Sequence, residues 1–299
     1  MSACDDAFDP RGRRRCRPRR SPSREPPGAS ADASPAASPT PARPSCCWSA
    51  TRLAPRLPGA TTAQAVYGDH DAVRRALDGV PTVFMVSASE SRDRVDQHRA
   101  FVDAAAAAGV EHLVYTSFVG AAPDATFTLV RDHWATEEHI RSSGMRFTIL
   151  RDNLYADFVP GLVGDDDVLR GPAGDGRVAV VAQDDIADAA AAVLADPDPD
   201  AHAGRTYDLT GPEAPTLHEV AAVLSAATGR KIAYHPETVA EAYRSRASSG
   251  APDWQVDAWV STYTAIANGE LAAVSDAVPL LTRRPATSLA DLLNRAAER

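Results

Sequence analysis

The stretch that decides the fold is TVFMVSASESRDRVDQHRAFVDAAAAAGVEHLVYTS, Thr82 to Ser117. Its opening, TVFMVS, is a short apolar run rich in β-branched residues and without alternation, the pattern of a strand buried on both faces. From about Arg92 to Ala108 the apolar positions Val95, Phe101, Val102 and Ala105 fall on one helical face, and Gly109 provides the stop. HLVYTS, His112 to Ser117, is a second strand. A strand, a helix and a strand in this spacing make a crossover unit, which requires a parallel sheet.

The same alternation continues outward. Downstream it predicts a helix over Asp132 to Ser143, strands at Arg146 to Arg151 and Arg177 to Ala182, a helix over Asp185 to Ala195 and a strand at Arg205 to Thr210. Thr216 and Glu219 then form a capping-box pattern at the head of another helix, which Gly229 closes. Val239 to Ser245, Trp254 to Ala267 and Leu289 to Ala297 also read as helices. Upstream, Ala63 to Tyr67 reads as a strand and Asp71 to Leu77 as a helix. The expected fold is α/β: a doubly wound, Rossmann-like parallel sheet, with a smaller, mostly helical C-terminal lobe from about residue 152 onward.

The N-terminal part has a different character. Residues 1–50 contain nine Arg, five Asp or Glu, and nine of the 23 prolines, with neither helical nor strand periodicity. Such a segment buries too little apolar surface to offset its ordering entropy, so disorder is expected over residues 1–58, with the folded domain at 59–299. Four readings of it stay open: a basic arm, an organelle transit peptide, which the proline density and Asp5, Asp6 and Asp9 weaken, an inert tail, or a GC-rich coding stretch translated out of frame. Its four cysteines, Cys4, Cys16, Cys46 and Cys47, show no zinc-ligand spacing, and the body has no cysteine. A reducing, cytoplasmic setting is the expectation.

Of 299 residues, 31 are basic and 40 acidic, and the net charge is −9. That acidity argues against nucleic acid as a partner of the folded body. The apolar runs are also too short to span a membrane.

With these elements in place, the quoted stretch resembles the NmrA-like atypical short-chain dehydrogenases, in particular the NAD(P)H:quinone oxidoreductase type 2-like branch. Two further fragments carry the likeness: ATEEHIRSSGMRFTILRDNLY, Ala135 to Tyr155, and YDLTGPEAPTLHEVAAVLSAATGRKIAY, Tyr207 to Tyr234. It extends over residues 57–299. The glycine-rich phosphate loop of that family, however, occurs nowhere in the sequence.

The resemblance implies a reductase that uses NADPH or NADH to transfer hydride to a quinone or similar small acceptor, with a homodimer allowed. The alternatives are a non-catalytic redox sensor and an inactive product lacking the phosphate loop. It places Asp69, with His70 beside it, near the adenine. Asp69 reads equally well as a helix N-cap. Ser87, Ala88 and Ser89 end a central strand, where small residues admit ribose and nicotinamide. Thr116 and Ser117 end the next strand, with a hydroxyl toward the substrate or a plain turn as the two readings.

A Tyr-x-x-x-Lys relay is excluded, because Lys231 is the only lysine and Ala227 lies four residues before it. The alignment instead puts His133 at the lysine position, as a ribose ligand or a helix cap. Asn153 and Tyr155 match positions near the nicotinamide; they read otherwise as a turn residue and a half-buried aromatic. The expected catalytic set is therefore Ser117, His133 and Tyr155, with no metal site.

Overall fold

The computed structural model describes residues 63–198 and 200–297. The expected disorder over 1–58, the boundary at 58/59 and the out-of-frame reading lie outside the described residues.

Asp69 caps the first helix, α1 (His70–Ala76), by accepting from the Ala72 amide. Strand β1 (Thr82–Met85), helix α2 (Arg94–Ala107) and strand β2 (His112–Phe118) follow as the sequence predicts. Helix α3 (Val130–Ser142) leads to β3 (Arg146–Asp152). A 3₁₀ turn at Ala156–Leu162 and the short strand β4 (Val168–Gly171) come next. They precede α4 (Gln183–Ala195) and β5 (Arg205–Leu209). The remaining elements are α5 (Leu217–Thr228), β6 (Ala233–Pro236), α6 (Val239–Arg246), α7 (Asp253–Ala267), α8 (Ala277–Thr282) and α9 (Leu289–Ala297).

The main described sheet has the order β1-β2-β3-β5, with every pairing parallel. Both of its faces are covered, as an all-parallel sheet requires. On one face Met85, Leu113, Tyr115 and Ile149 pack against Val73, Phe101, Val102 and Ile140 of α1, α2 and α3. On the other, Val114 and Leu150 meet Ile186, Ala189 and Val193 of α4 and Val278 of α8. A further core, with Leu169, Val220, Leu224, Tyr234 and Ile266, fills the C-terminal part. The capping box at Thr216 and Glu219 is present, and Gly229 ends α5 at φ 71°, a left-handed conformation that glycine adopts without steric cost.

Two predicted strands are corrected. Residues 63–66 join no ladder, because no described strand lies beside them. In the run 177–182 Arg177 is exposed and residues 178–182 are buried, but the run is not a sheet strand. Their backbone groups bond three separate segments: Ala179 N–H to Leu271, Val181 N–H to Leu154, and, in the loop before α5, Val178 N–H to the Pro215 carbonyl and the Val180 carbonyl from Gly211 N–H. A Cβ at residue 211 would stand 2.3 Å from that carbonyl, so the close approach requires glycine. The four-residue strands β4 and β6, which pair in parallel, went unpredicted, being too short to show a period.

Candidate functional site

Ligands of open α/β sheets sit at the carboxyl ends of the strands. After β1 the chain turns through Ser87, Ala88 and Ser89. The Ser87 amide donates to Thr116 Oγ1 (2.9 Å) and the Ala88 amide donates to His98 Nε2 (2.9 Å). Since an amide only donates, His98 Nε2 is the acceptor and its proton sits on Nδ1, 2.9 Å from Thr136 Oγ1. Thr136 passes the chain to the Asp132 carbonyl. Burial, then the Arg94 charge, pushes the His98 pKa down to about 3, so the ring is neutral. Thr116 and this histidine thus hold the turn rigidly.

The same reasoning fixes His133. Its Nε2 accepts from Arg94 Nη2 (3.0 Å), leaving Nδ1–H to donate to the Tyr115 hydroxyl (3.0 Å). Burial, then Arg94 and His98, holds the imidazole well below its ordinary pKa. Both ring nitrogens are therefore engaged by protein, an arrangement in which His133 positions Arg94 and Tyr115. His133 caps nothing, because α3 begins at Val130.

Ser117 is likewise engaged by protein. It has no exposed surface, and its Oγ donates to Glu137 Oε1 at 2.5 Å. Glu137, on α3 and equally buried, accepts from Arg151 Nε (2.8 Å) and Nη2 (2.7 Å) and from Arg141 Nη2 (2.9 Å). Burial alone raises the Glu137 pKa, but the Arg151 and Ser117 hydrogen bonds and the Arg151 charge outweigh it, and the carboxyl is held below its usual range. Ser117 therefore supports an ion-pair network behind the sheet.

Side chains alternate along a strand, so Arg151 and Asp152 leave β3 on opposite faces. Asp152 is 2% exposed, and its Oδ2 accepts the Tyr155 hydroxyl at 2.7 Å. No cation pairs with it within salt-bridge distance among the described residues. Burial pushes its pKa up to about 7, against the Tyr155 bond and the more distant Arg94 charge. Burial, then Asp152, pushes the Tyr155 phenol upward. Tyr155 is half-buried and packs edge-on to Phe158, with centroids 5.4 Å apart; Phe158 is 59% exposed. β1 and β3 are separated by β2, which sets their carboxyl ends roughly 10 Å apart.

Asn153 is buried, with Nδ2 donating to the Leu271 carbonyl (3.1 Å) and Oδ1 accepting from the Leu154 amide (2.8 Å). This is its turn-residue reading, and it bridges the strand end to the segment after α7. Asp69 and His70 are exposed at the head of α1, where Asp69 serves as the N-cap.

Among the described residues, one buried polar atom on the β1–α2 side, Arg94 Nε, has no hydrogen-bond partner. Arg94 is 5% exposed, and its nearest carboxylate, Asp132, is 3.9 Å away. A buried cation with an unused donor beside a turn of small residues fits a polar, anionic dinucleotide. The structure thus brings Ser87, Ala88, Thr116, His133 and Arg94 into one hydrogen-bonded region, with Asp152 and Tyr155 at the end of β3. Asp69 and His70 belong to another element. A cavity of about 710 Å³ lined by Pro212, Val274, Asp276 and Arg283 includes none of these residues.

Sequence reasoning missed Arg94, Glu137 and Asp152. Only for Asp152 was there a readable signal, an acid closing an apolar strand with a tyrosine three residues on.

The NmrA-like family profile matches residues 52–246 of the chain. Quinone oxidoreductase 2 of Escherichia coli strain K12 is 34% identical over 237 residues, which is 78% of this chain and 81% of that protein. The NAD(P)H azoreductase of Xenophilus azovorans is 33% identical over 219 residues, 72% of this chain and 75% of its own length. The crystal structure of the E. coli NADPH-dependent quinone oxidoreductase complexed with NADPH superposes with a TM-score of 0.73 at 33% identity, covering 80% of this chain and 84% of that one.

Proposed function

Because this chain belongs to the NmrA-like family, we propose that it is an NAD(P)H-dependent reductase of a quinone or similar small acceptor. The observation that carries the reading is the pairing of two features at one edge of the sheet. One is a turn of small residues with the unused buried donor of Arg94 on the helix that follows; the other is the Tyr155–Phe158 aromatic pair. The relatives support it, since they include a quinone reductase and an azoreductase.

When bound, the reduced nicotinamide supplies two electrons as hydride. Ser87, Ala88 and Ser89 let the nicotinamide and ribose approach closely, Thr116 and Asn153 hold the two strand ends, and Arg94 offers its free donor. Asp69 and His70 are assigned to the adenine end, with Asp69 keeping its N-cap bond. His133 keeps Arg94 and Tyr115 in place. The residues from 152 onward present the acceptor side through Tyr155 and Phe158. Without a Tyr-x-x-x-Lys relay, positioning and exclusion of water carry most of the rate. We place the activity in the cytoplasm and allow for a homodimer, which sedimentation of the purified chain measures.

The test is oxidation of NADPH, and separately NADH, by the purified chain with 1,4-benzoquinone and with an azo dye. Steady turnover is expected with at least one acceptor. Nucleotide binding without turnover across the acceptors overturns the reductase reading in favour of a redox sensor, and absence of binding overturns both.

A further inference from the structure

We propose that Asp152 and Tyr155 form a proton relay, in which the buried carboxyl resupplies the phenol that protonates the acceptor oxygen. The relay rests on the reductase reading above and adds the proton source that reading leaves open. Reducing a quinone takes a hydride and a proton, and without Tyr-x-x-x-Lys that proton comes from water or from another group at the cleft.

The geometry favours this pair over its neighbours. Asp152 is the last residue of β3, on the face opposite Arg151, and among the described residues its only short side-chain partner is the Tyr155 hydroxyl at 2.7 Å. Arg94 of α2 and Tyr115 of β2 are the other ionisable groups acting on the pair. Asp208 of β5 and Glu137 of α3 face Arg151 instead. Tyr155 is half-buried against the exposed Phe158 ring, so the phenol connects the interior carboxyl to the edge where an aromatic acceptor stacks.

Protonation of Asp152 decides which way the phenol points. An ionised carboxylate accepts the Tyr155 hydrogen and withdraws it from the cleft. A protonated carboxyl instead donates to the phenol oxygen and frees that hydrogen for the acceptor. In the reaction the nicotinamide is oxidised and the acceptor gains its two electrons and one hydrogen. The Tyr155 O–H bond breaks as an O–H bond forms on the acceptor oxygen. The Asp152 O–H bond then breaks as the phenol is restored, and water returns a proton to the carboxyl. Burial lifts the Asp152 pKa to about 7, so the donor form is populated at neutral pH.

The experiment follows the single-turnover rate of NADPH oxidation with 1,4-benzoquinone from pH 5 to pH 9. The native chain should lose rate by about tenfold per pH unit above an inflection near the Asp152 pKa of about 7. Asp152→Asn should abolish the inflection and lower the rate at acid pH about tenfold. Tyr155→Phe should lower it about a hundredfold with nucleotide affinity unchanged.

Melting of the nucleotide-free variants confirms folding and gives a second readout, because the advantage of Asp152→Asn over the native chain should grow as pH rises. An active Asp152→Asn enzyme that keeps the inflection, or Tyr155→Phe within twofold of the native rate, overturns the relay and leaves the reductase reading standing. No turnover by the native chain overturns that reading and the relay with it.

Discussion

Glu137 and Asp152 are both buried carboxyls beside the end of β3, the first held by Arg151 and the second carried by the next residue, yet their surroundings drive them to opposite charge states. Arg151 points to one face of β3 and, with Arg141 and Ser117, gives Glu137 four hydrogen bonds. That carboxylate stays ionised. Asp152 points to the other face and receives one neutral phenol. Burial without a close cation costs the charged form several kcal/mol, so the proton stays on to higher pH. Burial alone therefore does not make a functional carboxyl. What separates a structural anion from a proton donor is whether an arginine is within reach.

The largest expected effect comes from breaking the compensated side. Arg151→Met leaves Glu137 buried with Arg141 as its only cation and should cost about 3 kcal/mol of stability in urea unfolding. A loss below 1 kcal/mol would show that Arg141 suffices.

Second is the pH response of the uncompensated side. A carboxyl whose folded pKa is raised stabilises the fold below its unfolded pKa and loses that contribution as pH rises toward the folded value of about 7. Asp152→Asn removes this loss. Its stability relative to the native chain should therefore rise by about 2 kcal/mol between pH 5 and pH 7, read from melting curves. A pH-independent difference contradicts the assignment.

Ser117→Ala should cost about 1.5 kcal/mol, because it removes a bond to a buried charge, while kcat/KM stays within twofold of native. A large loss of activity at unchanged stability would restore Ser117 to the cleft. Smallest is Thr116→Val, which strips the Ser87 amide of its acceptor. About 1 kcal/mol of stability and a weaker NADPH affinity by titration are expected, and unchanged binding would detach Thr116 from the nucleotide turn.

The fold was legible where local pattern and tertiary environment agree. Thr82 to Ser117 pairs a β-branched run with a periodic, alanine-rich helix, and both are found. Residues 177–182 show the limit: a buried apolar run reads as a strand whether its amides join one ladder or three different segments. In the site, the strand-end residues Ser87, Ala88 and Thr116 could be placed from the sequence, because strand ends are local. The roles of Ser117 and His133 could not, since they depend on Glu137 and Arg94, which lie elsewhere in the chain. Asp152 stands next to an arginine in sequence, which suggests a pair, and only the alternation of β3 shows that the two point apart.

The most direct test is the infrared carboxylic-acid band of the nucleotide-free chain as a function of pH, in native, Asp152→Asn and Glu137→Gln forms. The account predicts a protonated carboxyl that persists at pH 6, titrates near neutrality, survives Glu137→Gln and disappears in Asp152→Asn. No such band at pH 6, or one that disappears with Glu137→Gln instead, would contradict it.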